Sequence, residues 1–151
     1  MKTAFIFSGQ GAQYIGMGKE LYENIDECRE IFNKANNALG FDITNMILEG
    51  DADELNITEN TQPAILTTSI AIFKALEKNN IKPDVVAGLS LGEYSALVSA
   101  GAIDFLDAVS LVKKRGKFMQ EAVPLGVGAM VAVIGLSREK VQEAVEKAKE
   151  K

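Results

Sequence analysis

The stretch Val85-Val86-Ala87-Gly88-Leu89-Ser90-Leu91-Gly92-Glu93-Tyr94 constrains this chain most. A short apolar run ends at a serine flanked by glycines two positions before and two after, and a helical pattern begins at once. In G-x-S-x-G the strand reverses sharply into a helix, so the flanking positions lie where Cβ atoms would collide. Gly88 and Gly92 fill those positions. A serine held in such a turn points its hydroxyl outward, with a helix N-terminus behind it to favour negative charge. Ser90 is therefore the candidate catalytic nucleophile. Ser90-Leu91-Gly92-Glu93 also fits S-x-x-E, a capping box in which serine and glutamate satisfy free N–H groups at a helix start. The spacing alone leaves both readings standing.

Strands and helices alternate along the rest of the chain, the order of an α/β fold with a parallel sheet. Thr3 to Phe7 is expected as a first, buried parallel strand, followed by the loop Ser8-Gly9-Gln10-Gly11-Ala12-Gln13. Glycines on both sides of Gln10 let backbone N–H groups approach a ligand, although such a loop is more often only a tight turn. It matches neither the dinucleotide nor the P-loop pattern. Met17 to Leu39 is helical as one helix or two, closed by Gly40, and Phe41 to Asn60 is acidic, broken by Gly50, and predicts short helical turns on the surface anchored by Met46, Ile47 and Leu48. Asn60-Thr61-Gln62-Pro63 is expected to open a helix running to about Asn79, with Ala64, Ile65, Thr68, Ile72, Ala75 and Leu76 as its apolar face. Ligands of parallel sheets bind beyond the carboxyl ends of the strands, where Gln10 and Ser90 both fall.

After Gly101, Asp104 caps a helix to about Val123 with Phe105, Ala108, Val109, Val112, Met119, Ala122 and Val123 on one side. Lys113, Lys114, Lys117 and Glu121 fall on the other side and read as a solvated face. Arg115 falls on the apolar side. A guanidinium keeps its charge and is costly to bury unpaired, so an anion must meet it. An internal carboxylate such as Glu93 is slightly favoured over a bound substrate carboxylate by this pattern alone. Ala129 to Ile134 predicts a strand, and Ser137 caps a final helix. These last elements read as the opening of something larger, since a single βα unit buries too little to be stable.

Composition narrows the function classes. Across 151 residues, 47% are hydrophobic and 25% charged, as in soluble globular proteins, and no apolar run approaches a membrane span. A cytoplasmic protein is expected. The net charge of −5 argues against a nucleic-acid surface. The single cysteine, Cys28, can form no internal disulfide and is expected to have no role. The chain contains no histidine, so a serine nucleophile lacks its usual general base here.

Taken together, FSGQGAQYIGMG, LNITENTQPAILT, GLSLGEYSALVSAG and IDFLDAVSLVKKRGKFMQEAVPLGVGAM resemble the malonyl-CoA:acyl carrier protein transacylases and the related acyltransferase domains of fatty-acid and polyketide synthases. The resemblance runs the length of the chain and favours catalysis at Ser90. It implies that Ser90 receives the malonyl group from malonyl-CoA and passes it to the phosphopantetheine thiol of acyl carrier protein. It further implies an oxyanion hole from the backbone N–H groups of Gln10 and Leu91, Arg115 as the ligand of the malonyl carboxylate, and Gln62 in support. No metal or redox cofactor is implied, malonyl-CoA being a substrate, and neither nucleic acid nor membrane is an expected partner. The implied fold is an α/β-hydrolase-like large subdomain over residues 1–123 and the start of an inserted ferredoxin-like subdomain over 124–151. Many members have histidine and proline where this chain has Leu89 and Ser8, positions given no chemistry. Members are also much longer, and their catalytic histidine lies beyond the matched region. The chain is thus expected to be an N-terminal part whose fold and site need the remainder of the enzyme. A serine esterase and a non-catalytic interaction module are the competing readings.

Overall fold

In the computed structural model, residues 2–123, 127, 131 and 133–149 are described. The chain runs through β1 (Ala4–Phe7), α1 (Lys19–Asn24), α2 (Asp26–Leu39), α3 (Ile43–Glu49), α4 (Ala52–Asn56) and α5 (Thr58–Lys78). It continues with β2 (Val85–Gly88), α6 (Leu91–Ser99), α7 (Phe105–Ala122) and α8 (Arg138–Lys149). The α/β class expected from the sequence is what forms. Strands β1 and β2 pair in parallel, with Ala4 opposite Val85 and Phe7 opposite Gly88. Both strands therefore deliver their carboxyl ends, and the loops that follow, to the same side.

Helix α5 is the spine of the core. Thirteen of its residues are buried, on nearly every side, because α2 and α7 flank it and Phe73 meets the β1 residue Phe5 edge-on at 6.2 Å. Phe32, Ile43, Ile47, Leu55, Leu66, Ile70, Val109 and Val112 complete the packed interior. Burial of this many branched and aromatic side chains is the main force holding the helices together.

Local punctuation behaves as its chemistry dictates. The long helical pattern before Gly40 divides at Ile25, whose extended backbone separates α1 from α2, and Gly40 ends α2 at φ 74°. Asp104 accepts a hydrogen bond from the Leu106 N–H and starts α7, and the Ser137 hydroxyl accepts from the Lys140 N–H at the head of α8.

Four expectations need correction. Helix α5 begins at Thr58, five residues before Pro63, so the proline lies inside it. Its first turns are held by the Lys113 contacts described below, which a local reading cannot anticipate. The Phe41–Asn60 segment forms short helices and its expected anchors Met46, Ile47 and Leu48 are buried, but Ile43 and Leu55 join them in the core, so the segment is not confined to the surface. Ile72 is 44% exposed although it belongs to the predicted apolar face of α5. On α7, Met119 and Val123 are likewise exposed, so the stripe is buried only as far as Gly116.

The strands are not buried on both faces. Phe5 and Phe7 are partly covered, whereas Ile6 is 81% and Val85 57% exposed. Beside β1 a groove of about 300 Å³ runs along Ala4–Ser8 against Ile72, Phe73 and Leu76 of α5. An uncovered apolar face next to a free strand edge templates association. Light scattering of the chain is expected to show concentration-dependent self-association that Ile6→Lys reduces; a clean monomer with a sharp, concentration-independent thermal transition would contradict this.

Half of the strand expected at Ala129–Ile134 lies outside the described residues; Val131, Val133 and Ile134 are exposed and are not in a strand. Helix α8 has no buried residue. Among the described residues no helix is long and apolar enough to cross a membrane. Cys28 is fully buried and donates its thiol hydrogen to the Ala71 carbonyl, and burial pushes its thiol above the usual range.

Candidate active site

The site begins at the junction of β2 and α6. Ser90 sits there with φ 55° and ψ −109°, a region a non-glycine residue adopts only when its surroundings enforce it. The enforcement comes from three close approaches. A Cβ on Gly88 would lie 2.0 Å from the Gly92 carbonyl carbon, and one on Gly92 would lie 2.2 Å from the Phe7 carbonyl oxygen. A Cβ on Gly9 would lie 2.8 Å from the Leu89 carbonyl oxygen. The first two contacts weld strand, turn and helix; the third presses the loop after β1 against the elbow. The glycine spacing read from the sequence thus has a direct steric cause.

Ser90 occupies the N-cap position of α6, yet its side chain makes no capping hydrogen bond. The capping-box alternative therefore fails for the hydroxyl: only the Ser90 carbonyl serves the helix start, accepting from the Glu93 N–H at 3.3 Å. The hydroxyl instead accepts from Arg115 Nη2 at 3.1 Å. Ser90 is exposed, so its oxygen is open to a reactant.

Arg115 reaches Ser90 from α7. Gly116, the next residue, packs so tightly on the first turn of α5 that a Cβ would lie 2.6 Å from Glu59 Cα and 2.7 Å from the Thr58 carbonyl oxygen. This approach lets Arg115 Nη1 donate to Gln62 Oε1 at 2.8 Å. Gln62 is itself fully buried, and its Nε2 donates to the Met119 thioether sulfur, Sδ, at 3.2 Å. The Tyr94 ring lies beside the guanidinium, 5.6 Å from Cζ to the ring centroid.

The internal carboxylate slightly favoured for Arg115 is not there. Glu93 is exposed, and the ion pairs among the described residues do not involve Arg115. Its partners are a neutral amide and a neutral hydroxyl. The positive charge is thus held at the site mouth, half-exposed, by groups that leave it uncompensated.

The loop after β1 brings Gln10 to the same end of the sheet. Its Nε2 donates to Thr58 Oγ1 at 3.2 Å, tying the loop to the head of α5. Among the described residues, the Gln10 and Leu91 backbone N–H groups have no hydrogen-bond partner. Leu91 directly follows Ser90, and the loop that carries Gln10 is pressed against the elbow at Gly9; free backbone donors near a hydroxyl are of the kind that suits a developing oxyanion.

Lys113 departs from its expected solvated position. It is half-buried, donates to Glu59 Oε1 at 3.1 Å and to Asn60 Oδ1 at 3.0 Å, and lies 4.8 Å from the Phe41 ring centroid. It therefore clamps α7 to the head of α5, from which Gln62 and Thr58 reach the site. Sequence reasoning missed Lys113, Thr58, Tyr94 and Gly116; only the Arg-Gly pair carried a signal, a glycine inside an otherwise good helix.

A parallel pair of strands with a strained serine at a strand-to-helix elbow places the chain among α/β proteins of the elbow class. The chain belongs to the acyl transferase domain family, which matches residues 4–149. A malonyl CoA-acyl carrier protein transacylase of Bacillus subtilis is 52% identical over 149 residues, covering 99% of this chain and 47% of that protein. The crystal structure of a malonyl CoA-acyl carrier protein transacylase from Clostridium perfringens superposes with a TM-score of 0.85 at 53% identity, covering 98% of this chain and 47% of its own. A malonyl-transacylase solved in complex with a type II polyketide acyl carrier protein gives a TM-score of 0.88 at 44% identity, covering 97% of this chain and 48% of that one. The chain spans about half the length of the curated relatives it matches.

Proposed function

We propose that this chain carries the acyl-receiving part of a malonyltransferase, moving malonyl from malonyl-CoA to the phosphopantetheine thiol of acyl carrier protein through an ester on Ser90. The observation that carries the reading is Arg115, a cation held beside the Ser90 hydroxyl by neutral partners. A malonyl group ends in a carboxylate one methylene from its carbonyl carbon. An arginine adjacent to the nucleophile can pair with that carboxylate while the serine oxygen faces the thioester.

The steps follow from the groups present. Ser90 Oγ attacks the thioester carbonyl carbon, and the Gln10 and Leu91 N–H groups receive the charge on the carbonyl oxygen. The carbon–sulfur bond breaks, CoA leaves as its thiol, and malonyl remains esterified to Ser90. The thiol of the carrier protein then attacks that ester and restores the hydroxyl. The Ser90 proton needs a base, and the chain has no histidine. We assign that base to a residue outside this chain, in the half of the relatives' length that it does not span.

We further propose that residues 1–123 form part of an α/β-hydrolase-like subdomain and that 124–151 open a ferredoxin-like one. The reading places the protein in fatty-acid synthesis in the cytoplasm, with malonyl-CoA and acyl carrier protein as partners. The test is a transfer assay on a chain completed to the length of the curated relatives. Malonyl is expected on the carrier thiol, with less than a thousandth of that rate for Ser90→Ala (roughly 4 kcal/mol of barrier). Release of free acid without carrier loading would instead mark a serine esterase.

A further inference from the structure

The contact between Arg115 and Ser90 has a second consequence. Both groups are fixed. Ser90 is set by the interlocked glycines at φ 55°, and Arg115 Nη1 is anchored on Gln62, which has 0% exposure. With that end anchored and the Tyr94 ring alongside, Nη2 is aimed at the Ser90 oxygen at 3.1 Å. A hydroxyl oxygen has two lone pairs, and here one of them is engaged by a cationic donor that also withdraws electron density. An oxygen so engaged is a poorer nucleophile, and the bond must be shed before attack.

We propose that Arg115 caps the Ser90 hydroxyl in the unliganded protein and is drawn off it by the carboxylate of the incoming acyl group. A carboxylate accepts charge-assisted hydrogen bonds, often two at once, and these are roughly twice as strong as bonds to a neutral oxygen. It therefore outcompetes the serine for Nη2. A neutral acyl group offers no such exchange: uncovering Ser90 for it hands the guanidinium N–H to water, with no charged acceptor to draw it away. The same side chain that pairs with the substrate carboxylate thus also withholds the nucleophile from acyl groups that lack one. Selection then acts on the reactivity of Ser90 as well as on binding.

This inference rests on the carboxylate reading of Arg115 given above, and the test separates the two. Malonate is titrated into the chain and its affinity followed by amide chemical shifts, with Arg115→Met, Ser90→Ala and Ser90→Gly beside the parent and circular dichroism checking each fold. Malonate is expected to bind the parent, and Arg115→Met to weaken it tenfold or more. Removing the oxygen that holds Nη2 frees the guanidinium beforehand, so both serine variants are expected to bind malonate about three- to tenfold more tightly. Ser90→Gly keeps the test valid if alanine is not tolerated at this backbone conformation. Binding that depends on Arg115 but is unchanged or weaker in a folded serine variant overturns the cap alone. Binding indifferent to Arg115, or absent from every form, overturns the carboxylate reading and the cap with it.

Discussion

Gly88→Ala is expected to lower the melting temperature of the chain by roughly 10–15 °C, the equivalent of about 4 kcal/mol. The added methyl would lie 2.0 Å from the Gly92 carbonyl carbon, 2.1 Å from its oxygen and 2.5 Å from the Glu93 nitrogen. All three are backbone atoms, so no rotamer change relieves the overlap. Strand β2 and helix α6 must separate, and the helix then loses its seat against Phe7 at the end of β1. A loss of this size is a large share of what a domain of this length has in total. Thermal denaturation followed by circular dichroism checks it, and a change within about 2 °C would show that the elbow is looser than its contacts indicate. Gly101→Ala is the comparison: Gly101 has φ 71° but no atom within 4 Å of a Cβ, so strain acts there without overlap and the loss is smaller.

The second large effect falls on specificity. Arg115→Met in a protein of the relatives' full length is expected to lower malonyl transfer about a hundredfold, the effect of losing two charge-assisted hydrogen bonds worth together about 3 kcal/mol. Acetyl transfer is expected to hold or rise, because a neutral acyl group gains nothing from the guanidinium and Ser90 is no longer capped. Steady-state rates with malonyl-CoA and acetyl-CoA separate the cases. Equal losses for both donors would make Arg115 a structural residue, supporting Gln62 rather than reading the substrate.

How much of this was legible before the structure depends on whether the cause is local. The elbow was readable because its glycines collide within a few residues of one another, and Asp104 and Gly40 because caps act on the nearest turn. The start of α5 was not, because contacts from α7, more than fifty positions along the chain, hold its first turn: Lys113 on Glu59 and Asn60, and Gly116 against Thr58. The same clamp explains why Lys113 looked solvated on a helical projection and is half-buried in the fold. Ile72 and the alternate residues of β1 carry apolar side chains that nothing among the described residues covers, so hydrophobicity alone overpredicted their burial. Arg115 shows the limit most clearly. The stripe pattern demanded a partner for its charge, but only the geometry showed neutral partners and, among the described residues, no ion pair to a carboxylate, which is why the anion is proposed to come from a ligand.

The most direct measurement is the intact mass of the protein after brief exposure to malonyl-CoA, on the chain and on its full-length form, each with Ser90→Ala beside it. The account predicts a single malonyl adduct that maps to Ser90 and is absent from Ser90→Ala. The full-length form is expected to label fastest, because the base that takes the Ser90 proton is assigned outside this chain. An adduct that persists in Ser90→Ala, or no adduct in a folded full-length form, would contradict the assignment of Ser90 as the acyl-carrying residue.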